Sequence, residues 1–318
     1  MEKPLVTISC ITFNQEKYIG DAIEGFLSQK TNFDYEILIH DDASTDNTKQ
    51  IIEKYIKQYP DKIKGVFEAE NQFSKGVNPN FINYKLSTGK YIALCEGDDY
   101  WIDPLKLQKQ VDYMEKHEDC TFCFTNGYIE NVADHNNRRI FIPYNHSRYD
   151  KRYYKHGNRI YDLNNFYQLS FVPTASFLFP RSNLSKLPPS FFNKCQAGDL
   201  KMRLFYTAMG YAYFIDEITC VYRENVSNSS MTRWAREDRV KNMIRDEEII
   251  KMIDDVDTFS DLRYNKQLNK IKDLHIENYL RYFKVNEFVC NSNARAYFNQ
   301  MLLLDKVRLI AKRILIRR

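Results

Sequence analysis

Residues 91–101 read YIALCEGDDYW, an apolar run that stops abruptly in Glu96, Asp98 and Asp99. The run is short and rich in strand-forming residues, so YIALC at 91–95 predicts a buried strand that ends in acids. Upstream, YEILI at 35–39 behaves the same way and ends in His40-Asp41-Asp42. LVTISCI at 5–11 predicts a first strand. A helix follows from Glu16 to Gln29, where Tyr18, Ala22, Ile23, Phe26 and Leu27 recur at helical spacing. After Asp42 a second helix is expected, capped by Ser44, Thr45 or Asp46, with Ile51, Ile52, Tyr55, Ile56 and Tyr59 on its apolar face. A strand at 63–68 and a helix at 79–88 complete the approach to residue 91. Strands and helices alternating at this spacing give right-handed crossovers and a mainly parallel sheet. Ligands of such sheets sit at the carboxyl ends of the strands, where both acidic clusters fall.

Beyond residue 101 the pattern continues with a helix from Pro104 to His117 and a strand at 120–125. Residues 127–165 are polar, aromatic and turn-rich and predict an insertion, with an acceptor-side flap extending to 175. Strands at 176–179, 211–215 and 218–222 and a helix after Gly198 follow. From Thr232 onward the pattern is helical, which places a domain boundary near residue 225: an α/β domain over 1–225 and a helical region over 226–318. No internal repeat or low-complexity segment is present.

The 318 residues are 43% hydrophobic, with 23 Tyr and 21 Phe against only 10 Gly and 9 Pro. That composition excludes wholesale disorder and a loop-rich secreted scaffold. A net charge of +4 is too small to point to nucleic acid. The seven cysteines are odd in number and mostly lie in apolar runs, as buried thiols in a reducing compartment do. Cys120 and Cys123 form a lone C-x-x-C inside a predicted strand and read as core. The start, MEKPLVTISCITF, has no signal-peptide layout, and no apolar run approaches the ~18 residues needed to span a bilayer. The expected location is the cytoplasm or the inner face of the cell membrane.

The first strand–helix turn, ITFNQEKY, has no glycine before Gly20 and so lacks a dinucleotide-binding fingerprint. A diphosphate bound at this sheet would need another counter-charge, and a divalent cation supplies one. Glu96, Asp98 and Asp99 offer the carboxylate oxygens that Mg²⁺ or Mn²⁺ prefer and can also orient a ribose. Asp42 can accept from a ribose or a base N–H, while Ser44 to Thr48 cap the next helix. Asp199, in CQAGDLKMRLF, opens a helix, where capping is the ordinary role of an acid; it is also a candidate general base for an acceptor hydroxyl. Trp101 either stacks on an acceptor sugar or packs in the core.

VTISCITFNQEKYI, YEILIHDDASTDNT, GKYIALCEGDDYWIDPLKLQKQV and AGDL together closely resemble the inverting family-2 glycosyltransferases, in that family's order and spacing, over roughly residues 4–225. The resemblance implies a GT-A fold (a nucleotide-diphospho-sugar transferase, Rossmann-like), to which the helical pattern over 226–318 adds a C-terminal extension. It also implies a nucleoside-diphosphate sugar donor, often UDP-linked, and a divalent metal at a D-x-D motif. By position, Phe13 falls in the turn flanking the nucleobase and Asp42 matches the acid that binds the base. Asp98 and Asp99 match the ribose and metal acids, and Asp199 matches the catalytic base. The chain departs from the family in having Glu96 as the first acid of the motif. It also has Tyr222-Arg223-Glu224-Asn225 where the family often carries a histidine, and Arg223 is either a diphosphate contact or a plain salt-bridging residue.

The last predicted helix, 294–318, aligns Leu303, Val307, Ile310 and Ile314 on one face. Lys306, Arg308, Lys312, Arg313, Arg317 and Arg318 oppose the single acid Asp305. Such a helix either lies on an anionic membrane surface, fitting a lipid-linked glycan acceptor, or docks on the protein. The rival functions are a nucleotidyltransferase, which would typically carry a Gly-rich basic first loop, and a catalytically silent sugar-nucleotide-binding subunit.

Overall fold

The computed structural model describes residues 3–142, 157–166, 172–193, 197–227, 239–283 and 291–301, with positions 169, 195, 232, 306 and 307. It divides into two units, one of Met1–Lys194 with Met202–Ala235 and one of Cys195–Lys201 with Arg236–Arg318.

In the first unit, β1 (Val6–Thr12), β2 (Tyr35–Asp41), β3 (Ile63–Phe67) and β4 (Tyr91–Glu96) lie parallel in the order β3-β2-β1-β4. They are linked by α1 (Ile19–Leu27), α2 (Thr48–Gln58) and α3 (Pro79–Leu86). Every residue of β2 and all but one of β1 are buried, so these strands read as continuous apolar runs instead of alternating ones. Each fully buried aliphatic side chain contributes roughly 1.5–3 kcal/mol. α1 turns Ile19, Ala22, Ile23 and Phe26 inward, and Gly25 lets it approach the chain closely: a Cβ there would stand 2.8 Å from the Trp101 carbonyl oxygen.

The register matters for function. Thr12 pairs with Asp41 across β1–β2, and Ile11 pairs with Glu96 across β1–β4. The carboxyl ends of three adjacent strands therefore finish level, with the acids on the outer two.

The rest of the sheet is mixed. After β5 (Tyr100–Trp101) and α4 (Lys106–Met114) come β6 (Cys120–Asn131), β7 (Asp134–Ile140), β8 (Arg159–Tyr161), α5 (Leu163–Phe166) and β9 (Leu178–Pro180). β9 runs antiparallel to β4 and β6. The flap expected from residue 127 is corrected over its first part: β6 continues to Asn131 and turns back as β7, its antiparallel partner. Residues 143–156, 167–168 and 170–171 of that expected flap lie outside the described residues. The strand expected at 176–179 moves to Leu178–Pro180, because Thr174–Ser176 form a 3₁₀ turn.

α6 (Gly198–Met209) precedes one long strand, β10 (Tyr211–Glu224), in place of the two expected at 211–215 and 218–222. The polar pair Asp216–Glu217 interrupts the apolar pattern, yet the register slips between Ile215 and Ile218, so a bulge absorbs the pair and pairing with β6 resumes. The described cysteines are all free thiols, with Cys120 and Cys123 buried in the core.

In the second unit, helices Arg239–Phe259, Asn265–Arg281 and Ser292–Gln300 share a core of Ile250, Ile276, Tyr279, Leu280, Ala294 and Met301. The single helix expected over 294–318 is corrected: Ser292–Gln300 stops at Met301, whose backbone is extended (φ −64°, ψ 148°). Residues 302–305 and 308–318, with most of the expected basic face, lie outside the described residues. No helix among the described residues is long and apolar enough to cross a membrane.

Candidate active site

The turn after β1 is stitched to the loop after β2. Asn14 takes a left-handed backbone (φ 54°), its N–H donates to Ser44 Oγ at 2.8 Å, and its side-chain oxygen accepts from the Thr45 N–H at 2.7 Å. The Gln15 N–H donates to Thr48 Oγ1, and the Glu16 N–H to Asp46. These bonds use the short polar residues that the sequence offers as helix caps; of the three cap candidates, Asp46 takes the Thr48 N–H. Half-buried Phe13 sits in this turn.

Backbone bonds tie both acidic loops to the same strand end: Asp42 N–H to the Thr12 carbonyl at 3.0 Å, and Gly97 N–H to the Ile11 carbonyl at 2.9 Å. The structure thus brings Phe13, Asp42, Glu96, Asp98 and Asp99 to one edge of the sheet. Gly97 is required there, since a Cβ would stand 2.6 Å from Gln15 Oε1 and 2.7 Å from Thr12 Oγ1.

Within that edge the acids differ. Asp98 is buried, and burial pushes its carboxyl up to about 6 despite Arg223 and the Gln15 amide beside it. Asp99 is driven well above the carboxylate range by burial and then by the charges of Asp98 and Glu96. The same acids, after burial itself, raise the Cys10 thiol beneath them. Thr174, 78 residues downstream of Glu96, donates its hydroxyl to the Glu96 carboxylate.

Four of the expected site residues are engaged by the protein itself. Asp99, expected to hold metal, is 1% exposed, and its Oδ1 accepts the Arg223 backbone N–H at 2.8 Å; it braces the loop from behind. Arg223, offered as a diphosphate contact, is 5% exposed. Its guanidinium pairs with Asp21, donates to the Asp98 carbonyl at 3.0 Å and lies 3.9 Å from Glu130, stacked 4.2 Å from the Tyr100 ring centre. It is the strut of the acidic loop. Asp42 has both oxygens engaged, Oδ1 by the Gln72 N–H at 2.6 Å and Oδ2 by the Phe73 N–H at 3.1 Å, so it anchors the segment after β3. Trp101, offered as an acceptor platform, is 3% exposed and belongs to the core, packed edge-on against Phe26.

Asp199 lies in the first turn of α6, and its residues Gly198–Lys201 group with the helical unit. Thr174 and Gln15 were not foreseen. Gln15 stands in the first turn and was legible in principle; nothing in the sequence links Thr174 to Glu96 before β9 folds back beside β4.

Among the described residues no three His, Cys, Asp or Glu side chains converge as a ligand set. Asp99 is turned to Arg223 and Glu96 is held by Thr174. Crowded, desolvated acids that raise one another's proton affinity are nonetheless what a hard cation relieves. The residues fit an ion of the magnesium or manganese kind, bound by one or two carboxylates and completed by phosphate and water oxygens, and not an all-protein cage.

The family model described as Glycosyl transferase family 2 matches residues 7–187. The Escherichia coli protein WfaP, named UDP-Glc:alpha-D-GlcNAc-diphosphoundecaprenol beta-1,3-glucosyltransferase, is 35% identical over 127 residues, 40% of this chain and 47% of that one. The chain spans from 33% to 47% of the length of the curated relatives it matches. S. aureus TarS 1–349 in complex with UDP-GlcNAc superimposes with a TM-score of 0.58 at 17% identity, covering 96% of this chain and 78% of that one. The mannosyltransferase PcManGT from Pyrobaculum calidifontis, in complex with GDP-Man and Mn²⁺, does so with 0.56 at 15% identity, covering 100% and 82%. At these identities the likeness shows the fold, the mixed α/β architecture of GT-A glycosyltransferases.

Proposed function

This chain belongs to glycosyl transferase family 2, and from that membership we propose that it moves a sugar from a UDP-linked donor to a hydroxyl of a glycan or lipid-linked glycan, inverting the anomeric carbon. The setting proposed is bacterial surface polysaccharide synthesis at the inner face of the cell membrane. One observation carries the reading: the level carboxyl ends of β1, β2 and β4 bring buried acids around a single turn. TarS in complex with UDP-GlcNAc, and PcManGT in complex with GDP-Man and Mn²⁺, support a nucleotide-sugar donor and a divalent metal. WfaP, named for a diphosphoundecaprenol-linked acceptor, supports a lipid-diphosphate-linked acceptor here.

In this reading the nucleobase rests on Phe13 and on the Gln72–Phe73 segment that Asp42 anchors. Asp98 and Glu96 would hold the divalent cation, with the Thr174 hydroxyl positioning the Glu96 carboxylate. When bound, that cation offsets charge on the departing diphosphate as a Lewis acid. Asp99 and Arg223 keep the acidic loop in place, so the carboxylates need little reorganisation as charge develops. The role of general base, taking the acceptor proton as its oxygen attacks C1, goes to Asp199 on its match to the family's AGDL segment alone.

The test is UDP release from a panel of UDP-sugars with Mn²⁺ and acceptor, on wild type and Asp199→Asn. The variant should bind donor as wild type does while transfer falls by about 10²–10⁴-fold, the usual range for losing a general base. Wild-type turnover in the variant removes Asp199 from the mechanism, and a wild type that binds donors without releasing UDP removes the transferase reading.

A further inference from the structure

At the opposite end of the sheet from the acids, the amino-terminal ends of β1 and β4 border a cleft of about 750 Å³. β4 separates the two ends by its six residues, about 20 Å at strand rise. Four cations from four different segments line the cleft: Lys3 ahead of β1, Lys85 on α3, Lys90 at the start of β4 and Arg181 after β9. No acid is among the described lining residues, whose remaining polar groups are the hydroxyls of Thr88, Ser182 and Ser185 and the Tyr84 phenol. Lys90 is paired with Glu115 across an exposed contact, and Arg181 donates through Nε to the Gly89 carbonyl.

The floor is aromatic. Phe81 packs against Tyr84 at 5.9 Å and against Phe192 at 5.2 Å between ring centres. Phe192 remains 39% exposed, and Leu86, next to Lys85, 50%. A lining that sets Phe81, Tyr84, Leu184 and the part-exposed Phe192 beside four cations matches an anion carried on an apolar chain. A nucleobase would ask for donors and acceptors along its edges, and this floor supplies few; inorganic anions would leave the aromatic rings unused.

We infer that this cleft binds the phosphate head and adjoining apolar chain of an anionic lipid. The inference does not rest on the transferase reading, since the cleft shares no residue with the acidic edge.

The test uses the full chain, co-sedimented with phosphatidylcholine vesicles with and without phosphatidylglycerol, and in parallel titrated with inorganic phosphate. Wild type should bind only the anionic vesicles. The double variant Lys3→Gln/Lys85→Gln should bind them about 25-fold more weakly, from roughly fivefold per basic residue at a lipid surface. A control, Lys54→Gln/Lys57→Gln on α2, removes the same charge elsewhere and should bind as wild type does. A wild-type circular-dichroism spectrum and melting temperature in both variants show that the fold is intact. The inference is overturned if the two double variants weaken binding equally, if neither vesicle is bound, or if inorganic phosphate binds as tightly as the anionic vesicles do.

Discussion

The indole of Trp101 lies beneath the Lys106 ammonium, 4.2 Å from its ring centre, and donates its N–H to the Ala175 carbonyl at 2.8 Å. Ala175 follows Thr174, the partner of Glu96, so the buried ring fixes the turn that in turn fixes the acid. Burial lowers the Lys106 ammonium to about 8, and that lysine still finds Gln110 at 2.8 Å. Trp101→Phe keeps most of the packing but leaves the Ala175 carbonyl without its donor, which should cost about 1–3 kcal/mol in denaturant unfolding. The Michaelis constant for acceptor should stay put, because the ring reaches no solvent. A raised acceptor constant at unchanged stability would return Trp101 to the acceptor role. At this scale the sequence was informative about which residues gather and poor about which way they face. Asp42, Asp98 and Asp99 were all found by strand-end position, yet two of the three carboxylates are engaged by backbone N–H groups from Gln72, Phe73 and Arg223. Those donors come from distant segments, and no local pattern announces them.

Among the elements, β2 shows how one buried acid registers a sheet. Glu36 accepts from Thr7 Oγ1 at 2.7 Å on β1, from Lys64 at 2.7 Å on β3, and from the Thr88 N–H and hydroxyl at 3.0 and 2.6 Å in the turn before β4. Burial alone would raise its pKa, but the bonds from Lys64, Thr88 and Thr7 together outweigh it and hold the carboxyl below its ordinary 4.5. The folded state therefore binds this proton less readily than the unfolded chain. The stabilisation is fully present above about pH 4.5 and is lost as pH falls through the lower folded value. Glu36→Gln should lower stability at neutral pH by about 2–4 kcal/mol and flatten the stability-versus-pH curve below pH ~4.5. Equal acid sensitivity in variant and wild type would contradict this. Parallel strands and their helices were legible because continuous apolar runs end in turn chemistry. The β6–β7 hairpin and the bulge in β10 were not, because polar residues there are satisfied by pairing and by Arg138–Glu130 and Arg139–Glu224 ion pairs that only the folded sheet brings together.

Over the whole molecule, charge is arranged along the strands: acids at the carboxyl ends of β2 and β4, cations around the amino-terminal ends of β1 and β4. The family was readable from four segments in order; the protein partners of each acid needed the structure. The account turns on the acidic edge being a diphosphate site that a divalent cation completes. Calorimetric titration of UDP into the full chain, with and without Mn²⁺, measures that directly when wild type is set beside Asp98→Asn. Wild type should bind UDP in a Mn²⁺-dependent way, and the variant should bind at least about tenfold more weakly, ~1.4 kcal/mol. Equal affinity in the two proteins, or no UDP binding by wild type with Mn²⁺ present, would contradict it.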